Sequence, residues 1–151
     1  MQQNNGNIDK TLVFLKPDVF EKNCIGKVIE QFEKNHFDVI AIKILKLSRA
    51  QAEEFYAVHR GKPFYDDLVS YVTRGNIAPI ILKSKKGLVG EELISAVRSL
   101  MGATNPPQAE KGTIRQLFGE SMDANVLHGS DSPENAFIEM RFFFPIYALI
   151  K

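Results

Sequence analysis

"TLVFLK", residues 11 to 16, is the stretch around which the rest of the chain has to be arranged. It is rich in β-branched and aromatic residues and stops at Pro17, the pattern of a central strand buried on both faces and ended by the proline. Lys16 then sits at the strand's exit, where a charged head can face a ligand while the strand behind it stays in the core.

Working outward, Ile25, Ile29 and Phe32 recur at i, i+4 and i+7 and predict a helix over about 23 to 35. "FDVIAIKILKL", 37 to 47, returns to strand composition. Ser48 followed by Gln51 is a capping-box pattern and opens a helix that carries Phe55 and Tyr56 before "RGKP" interrupts it. Phe64, Leu68, Tyr71 and Val72 predict a further helix with Gly75 as its C-terminal stop. "IAPIILKS", 77 to 84, is a third strand, expected near an edge because Pro79 cannot donate to a ladder.

Val89, Leu93, Val97 and Leu100 repeat helically, and Arg98 points off that stripe. From Gly102 to Asn125 the periodicity dissolves, and a loop that long in a small domain is usually functional. A last strand around Asn125 to His128 precedes a helix capped by Ser132 with Pro133 at its first position. The order is βαββαβ, an α+β ferredoxin-like four-stranded antiparallel sheet backed by helices, with inserted helices and a long loop. No repeat or second domain interrupts it: residues 1 to 9 read as a flexible polar tail and 10 to 151 as one domain.

Composition narrows the function classes. Hydrophobic residues make up 44% and charged residues 25% of the 151, ordinary for a globular protein, and no apolar run approaches a membrane span. The opening "MQQNNGNID" has neither a basic nor an apolar leader segment, so a cytoplasmic protein is expected. The single cysteine, Cys24, allows no internal disulfide and suggests no zinc site. Nineteen Lys and Arg against eighteen Asp and Glu leave a net charge of +1, far from the footprint of a nucleic-acid binder. An anionic ligand must be gripped by a local cluster.

Such a cluster is available. Lys16 at a strand end, Arg98, Arg115 in the long loop and His128 followed by Gly129 suit phosphate handling at a histidine. Arginine pairs with phosphate oxygens bidentately, lysine supplies a mobile charge, and a glycine lets a bulky group approach the imidazole. Singly, each such residue is more often solvated or structural. Glu139 lies on the flank of the apolar stripe Ala136, Met140 and Phe143 of the last helix. It has two candidate partners: one nitrogen of His128, which would fix the tautomer and free the other nitrogen as nucleophile, or a nearby cation.

"FLKPD" in the first strand, "GKPF" at 61 to 64, "GATNP" at 102 to 106, "GTIR" at 112 to 115 and "NVLHGSDSPE" at 125 to 134, in that order and spacing, resemble the nucleoside diphosphate kinase family. The resemblance runs from Lys10 to Phe144. It implies transfer of the γ-phosphoryl of a nucleoside triphosphate, usually ATP, to a nucleoside diphosphate through a phosphohistidine. His128 matches the nucleophile, and Ser130 and Glu139 match the pair that orients it. Lys16, Tyr56, Arg98, Thr104, Arg115 and Asn125 match positions that hold phosphates and ribose, with Lys16 and Tyr56 counted among the catalytic residues. Phe64 matches the aromatic on which the base stacks. The resemblance further implies Mg²⁺ carried on the nucleotide's phosphates and a homo-oligomer, tetramer or hexamer.

Without the resemblance, Phe64 and Tyr56 read equally as core, and Thr104 and Asn125 as turn residues. Cys24, His36 and His59 read as structural or solvent-facing. Gln116 and Leu117 stand where the family commonly has a small residue and an aspartate, and the stretch 83 to 92 is longer than usual. The competing readings are a non-catalytic ferredoxin-like module, which would have lost His128, an arginine or Glu139, and single-strand nucleic-acid binding, which the +1 charge disfavours.

Overall fold

The computed structural model describes residues 8 to 145. The first strand, β1 (Lys10–Leu15), is buried at all six positions. With β2 (Phe37–Ile42), β3 (Ala78–Ser84) and β4 (Leu127–Gly129) it forms a four-stranded sheet in the order β2-β3-β1-β4, every neighbouring pair antiparallel. This is the ferredoxin-like arrangement that the element order implies.

Both faces of the sheet are covered. Val13 and Leu15 pack with Val28 and Phe32 of α2 (Ile25–Lys34) and with Leu93, Val97 and Met101 of α5 (Gly90–Met101). Leu12 and Phe14 point the other way, into Ala52 of α3 (Arg49–Phe55), Val69 and Val72 of α4 (Tyr65–Thr73), and Ala136, Met140 and Phe143 of α7 (Pro133–Phe143). That double cover explains why β1 shows no polar alternation. Full burial of each large side chain in it contributes on the order of 1.5–3 kcal/mol.

Local signals are realised as read. The Ser48 hydroxyl accepts from Gln51 N at 3.1 Å while the Gln51 side chain accepts from Ser48 N at 2.9 Å, closing the capping box of α3. Ser132 caps α7 by accepting from Asn135 N, with Pro133 at the first helical position.

Other expectations are corrected. β3 lies inside the sheet, between β2 and β1. In an antiparallel strand a residue's N–H and C=O point to the same side, and the Pro79 carbonyl accepts from Lys43 N at 3.2 Å. Its missing N–H therefore faces the frayed end of β2, beyond Ile42, where little of the ladder is left to lose. Pro17 does more than end β1, because it opens a short helix, α1 (Pro17–Glu21), ahead of α2. The strand composition of 37 to 47 sustains a ladder only to Ile42, followed by an isolated bridge between Leu45 and Ile77.

α4 ends at Thr73 with Arg74 as a right-handed cap, so Gly75 supplies no left-handed stop. The stripe that α5 buries is Leu93, Ile94, Val97 and Met101, with Val89 partly exposed at its N-cap. The long segment contains a 3-10 turn at Pro106–Gln108 and a helix, α6 (Ile114–Phe118), capped by Thr113. The first seven residues of the polar tail lie outside the described residues. Of the last two, Ile8 accepts from Gly90 N at 2.8 Å and Asp9 pairs with Lys10 and Lys83.

Candidate active site

The site forms where β1 and β4 leave the sheet side by side. β4 is reached through a tight three-residue turn: Leu127 N donates to Asn125 O at 3.0 Å, and Val126 takes a φ of +79°. For a β-branched residue that conformation is strained and must be held by its surroundings. Asp18 holds it. This carboxylate, 2% exposed, accepts from Val126 N at 3.0 Å and from the Tyr71 hydroxyl at 2.7 Å, while Lys16 N donates to Val126 O at 2.8 Å. The turn aims His128 at the face of the sheet that α3, α4 and α7 cover, beside Phe14.

His128 Nε2 is bonded to Glu139 Oε1 of α7, and Ser130 Oγ donates to Glu139 Oε2 at 3.0 Å. Of the two partners open to Glu139 on sequence grounds, the structure supplies the imidazole. Among the described residues nothing is hydrogen-bonded to His128 Nδ1. Gly129 serves a different purpose from the one its sequence suggests. A Cβ there would lie 2.4 Å from Met101 Sδ, on the opposite face of the sheet, so the glycine admits α5 and not a ligand.

Around this histidine stand the basic groups. Lys16 Nζ donates to Asn125 Oδ1 at 2.8 Å, and Asn125 Nδ2 donates to Thr104 O at 3.0 Å, so Asn125 ties the β1 exit to the "GATNP" loop. Burial, and next the Arg115 charge, push the Lys16 ammonium down to about 8. Burial and the nearby Arg98 likewise push Arg115 down to about 10. Like charges held this close, with no carboxylate directly on either, favour an arriving anion.

Arg115 is also committed to the loop: Nε, Nη1 and Nη2 donate to the carbonyls of Asn125, Gly102 and Leu127 at 3.2, 3.0 and 2.8 Å. Two of its five N–H donors remain for a ligand. Arg98 reaches the Gly129 carbonyl from α5 at 3.2 Å and also lines a cleft of about 580 Å³ with Ser95, Ser99 and Gln108, a cleft to which neither His128 nor Lys16 contributes.

The aromatic residues divide. Tyr56 is buried and its hydroxyl has no partner among the described residues; burial, then the Glu139 charge, hold its pKa well above the usual tyrosine range. Phe64 is 49% exposed, which excludes a core role and fits a platform. It is linked to the catalytic end through rings: Phe64 to His59 at 5.4 Å, His59 to Tyr56 at 6.1 Å, Tyr56 to His128 at 6.3 Å.

Sequence reasoning passed over Asp18, whose place in "FLKPD" was the available signal. His59 is half-buried, its ring next to those of Tyr56 and Phe64 and its Nδ1 3.5 Å from Lys62 Nζ, and partial burial, then Lys62 and His128, hold its pKa below the ordinary value. Cys24 is a buried packing residue and His36 is exposed, as read.

Comparison with known proteins agrees with this geometry. Residues 9 to 148 match the family profile described as Nucleoside diphosphate kinase. A nucleoside diphosphate kinase from Nitrosospira multiformis is 47% identical over 138 residues, covering 91% of this chain and 94% of that one. A solved structure of the Aquifex aeolicus nucleoside diphosphate kinase superposes with a TM-score of 0.83 at 36% identity, covering 91% of this chain and 95% of that one. The Encephalitozoon cuniculi nucleoside diphosphate kinase follows at 0.81 and 30%, covering 90% and 88%. The fold and these matches define a phosphotransferase, an enzyme of the kinase class. The chain belongs to the nucleoside diphosphate kinase family.

Proposed function

We propose that the chain moves the γ-phosphoryl of a nucleoside triphosphate, typically ATP, to a nucleoside diphosphate in two half-reactions through a phosphohistidine on His128, with little discrimination among bases. The observation that carries this reading is the bond from His128 Nε2 to Glu139, which among the described residues leaves Nδ1 without a hydrogen-bond partner, while Arg115 and Arg98 hold the carbonyls of the flanking Leu127 and Gly129. Nδ1 offers its lone pair to the γ-phosphorus, the bond from phosphorus to the β-bridging oxygen breaks, and the nucleoside diphosphate leaves with that electron pair. Glu139 keeps hold of the Nε2 proton throughout. The acceptor diphosphate then attacks the phosphoramidate, and Nδ1 recovers its lone pair.

The transition state is loose and spreads charge over the phosphoryl oxygens, so positioned cations supply most of the catalysis. Lys16, Arg98 and Arg115 fill that role, and Thr104 and Asn125 hold the sugar-phosphate backbone. Tyr56 brings its unpartnered hydroxyl to the catalytic group. Phe64 offers a half-exposed ring to any base, and stacking is a contact every base can make.

The donor set here, ammonium, guanidinium and amide, suits phosphate oxygens and not a bare divalent cation. Mg²⁺ would therefore arrive with the nucleotide, where it would help neutralise the charge of the phosphates that Lys16, Arg98 and Arg115 hold. Residues 10 to 151 act as one domain behind the polar tail, in a cytoplasmic homo-oligomer, tetramer or hexamer. Among the described residues no strand pairs with the outer edge of β2, and Ile42 at its end and Ile44 just beyond it are 42% and 56% exposed, which supports assembly.

Incubation with γ-labelled ATP and Mg²⁺ tests the reading. The protein's label should be acid-labile and base-stable and should vanish in His128→Ala, together with nucleotide exchange. A base-labile, acid-stable label, or exchange persisting in His128→Ala at a substantial fraction of the wild-type rate, would overturn it.

A further inference from the structure

Glu139 alone leaves the His128 ring with a degree of freedom. One hydrogen bond to Nε2 fixes the position of that atom, but the ring can still turn about Cβ–Cγ, an axis that passes close to Nε2, and the Nδ1 lone pair lies in the ring plane. In-line attack needs that plane fixed as well. The molecule supplies a surface that can do so. Phe14 on β1 is the cross-strand partner of His128 on β4, and the two rings stack with centroids 4.9 Å apart and planes 20° apart.

Directly opposed residues of an antiparallel pair bring their Cβ atoms within about 4.5–5.5 Å on one face, so the stack is imposed by register. Phe14 is itself immobile: it is fully buried, and the edges of Phe55 and Phe143 meet it at 5.6 and 6.0 Å. Phe55 also closes on the imidazole edge at 5.3 Å.

We propose that Phe14 is a positioning residue for phosphoryl transfer, its ring fixing the plane of the His128 imidazole so that Nδ1 is aligned with the incoming phosphorus. The proposal rests on His128 being the phosphorylated residue. It assigns Phe14 no contact with nucleotide, so its effect falls on the transfer step and not on binding. The face of the phenyl ring also favours the positive character that the imidazole acquires as Nδ1 bonds to phosphorus.

The test begins with the wild-type protein. Ring current from a stacked phenyl shields the carbon-bound protons of His128, which should resonate upfield of those of the exposed His36. In Phe14→Leu this shift should be lost, and the rate of phosphohistidine formation from ATP should fall about three- to tenfold, the worth of an aromatic pair. The KM for nucleotide should stay within about twofold of wild type. Phe32→Leu, which removes a buried ring from the core on the opposite face of the sheet, should lower stability and leave the His128 shifts and transfer rate unchanged.

If wild-type His128 shows no upfield shift, or Phe14→Leu transfers phosphate at the wild-type rate, or Phe32→Leu slows transfer equally, the proposal is overturned. Should the wild type form no acid-labile label at all, the phosphohistidine reading fails first, an outcome separate from these.

Discussion

Lys10 opens β1 and Lys16 follows its last residue, and they are almost equally buried, at 5% and 6% exposure. Their surroundings differ. Lys10 donates to Asp9 at 3.0 Å, and Asp9 also pairs with Lys83 at 3.0 Å; burial alone would raise the Asp9 carboxyl, but Lys83 and Lys10 hold it below its usual value. Lys16 donates to the neutral Asn125 amide oxygen; Asp18 and Asp123 favour its charge but do not offset burial and Arg115, and among the described residues no carboxylate is paired with it directly. One lysine is paired directly with its counter-charge, whereas the charge of the other is only partly offset. A buried cation without a directly paired anion destabilises the free protein and is retained where a ligand completes it.

Replacing each lysine by methionine is the most direct way to break the comparison. Lys16→Met should lower nucleotide exchange by about 10²- to 10³-fold, the loss expected when one positioned donor to a developing negative charge is removed. The same substitution should raise the unfolding midpoint, because it removes a buried charge that Asp18 and Asp123 offset only in part. Lys10→Met should do the reverse, with exchange near wild type and stability lowered. Steady-state exchange and thermal unfolding on both variants decide the matter, and equal activity losses would erase the distinction.

Glu139 belongs with Asp9 as a carboxylate already matched, here to His128 and Ser130. Glu139→Gln keeps an acceptor and loses the charge. Turnover should fall by about ten- to a hundredfold, the worth of a hydrogen bond to a charged group, with KM little changed. A raised KM with unchanged turnover would move Glu139 from support of the histidine to substrate binding.

Phe64 sharpens the comparison from the uncharged side. Phe64→Ala should weaken adenine, guanine and cytosine nucleotides together by roughly 1 to 3 kcal/mol each, without new selectivity. Titration with ADP, GDP and CDP measures it, and a loss confined to one base would mean that the pocket reads base edges.

The smallest effect is one of pH. The folded-state value for Lys16, about 8, lies below the ordinary 10.5, so between these values the unfolded chain binds the additional proton. Stability of the free protein should therefore climb with pH across that window. Nucleotide binding runs the other way, because it needs the proton: affinity should weaken as pH rises through about 8, by no more than about tenfold per pH unit. Lys16→Met should flatten both profiles and Lys10→Met neither, as calorimetric titration and denaturation at several pH values would show.

What could be read from the chain alone was what depends on neighbours a few residues away. The Ser48 and Gln51 capping box and the Ser132 cap are i to i+3 contacts, which need no tertiary partner. The continuous apolar run of β1 announced a doubly covered strand, and the motif residues Lys16, Arg115, Asn125 and His128 announced the site by their family spacing. The α6 helix escaped because five residues carry too little periodicity to show a stripe. Strand order, by contrast, is a property of the whole sheet, so Pro79 could sit in an interior strand once its nitrogen faced a frayed end. Lys16 and Asn125 are bonded across 109 positions of sequence. The pairing of Phe14 with His128 and the approach of Met101 to Gly129 are contacts of the same long-range kind. Sequence determined which groups were available and which local turns would form. Only the register of antiparallel strands, set by burial on both faces of the sheet, decided which of those groups meet.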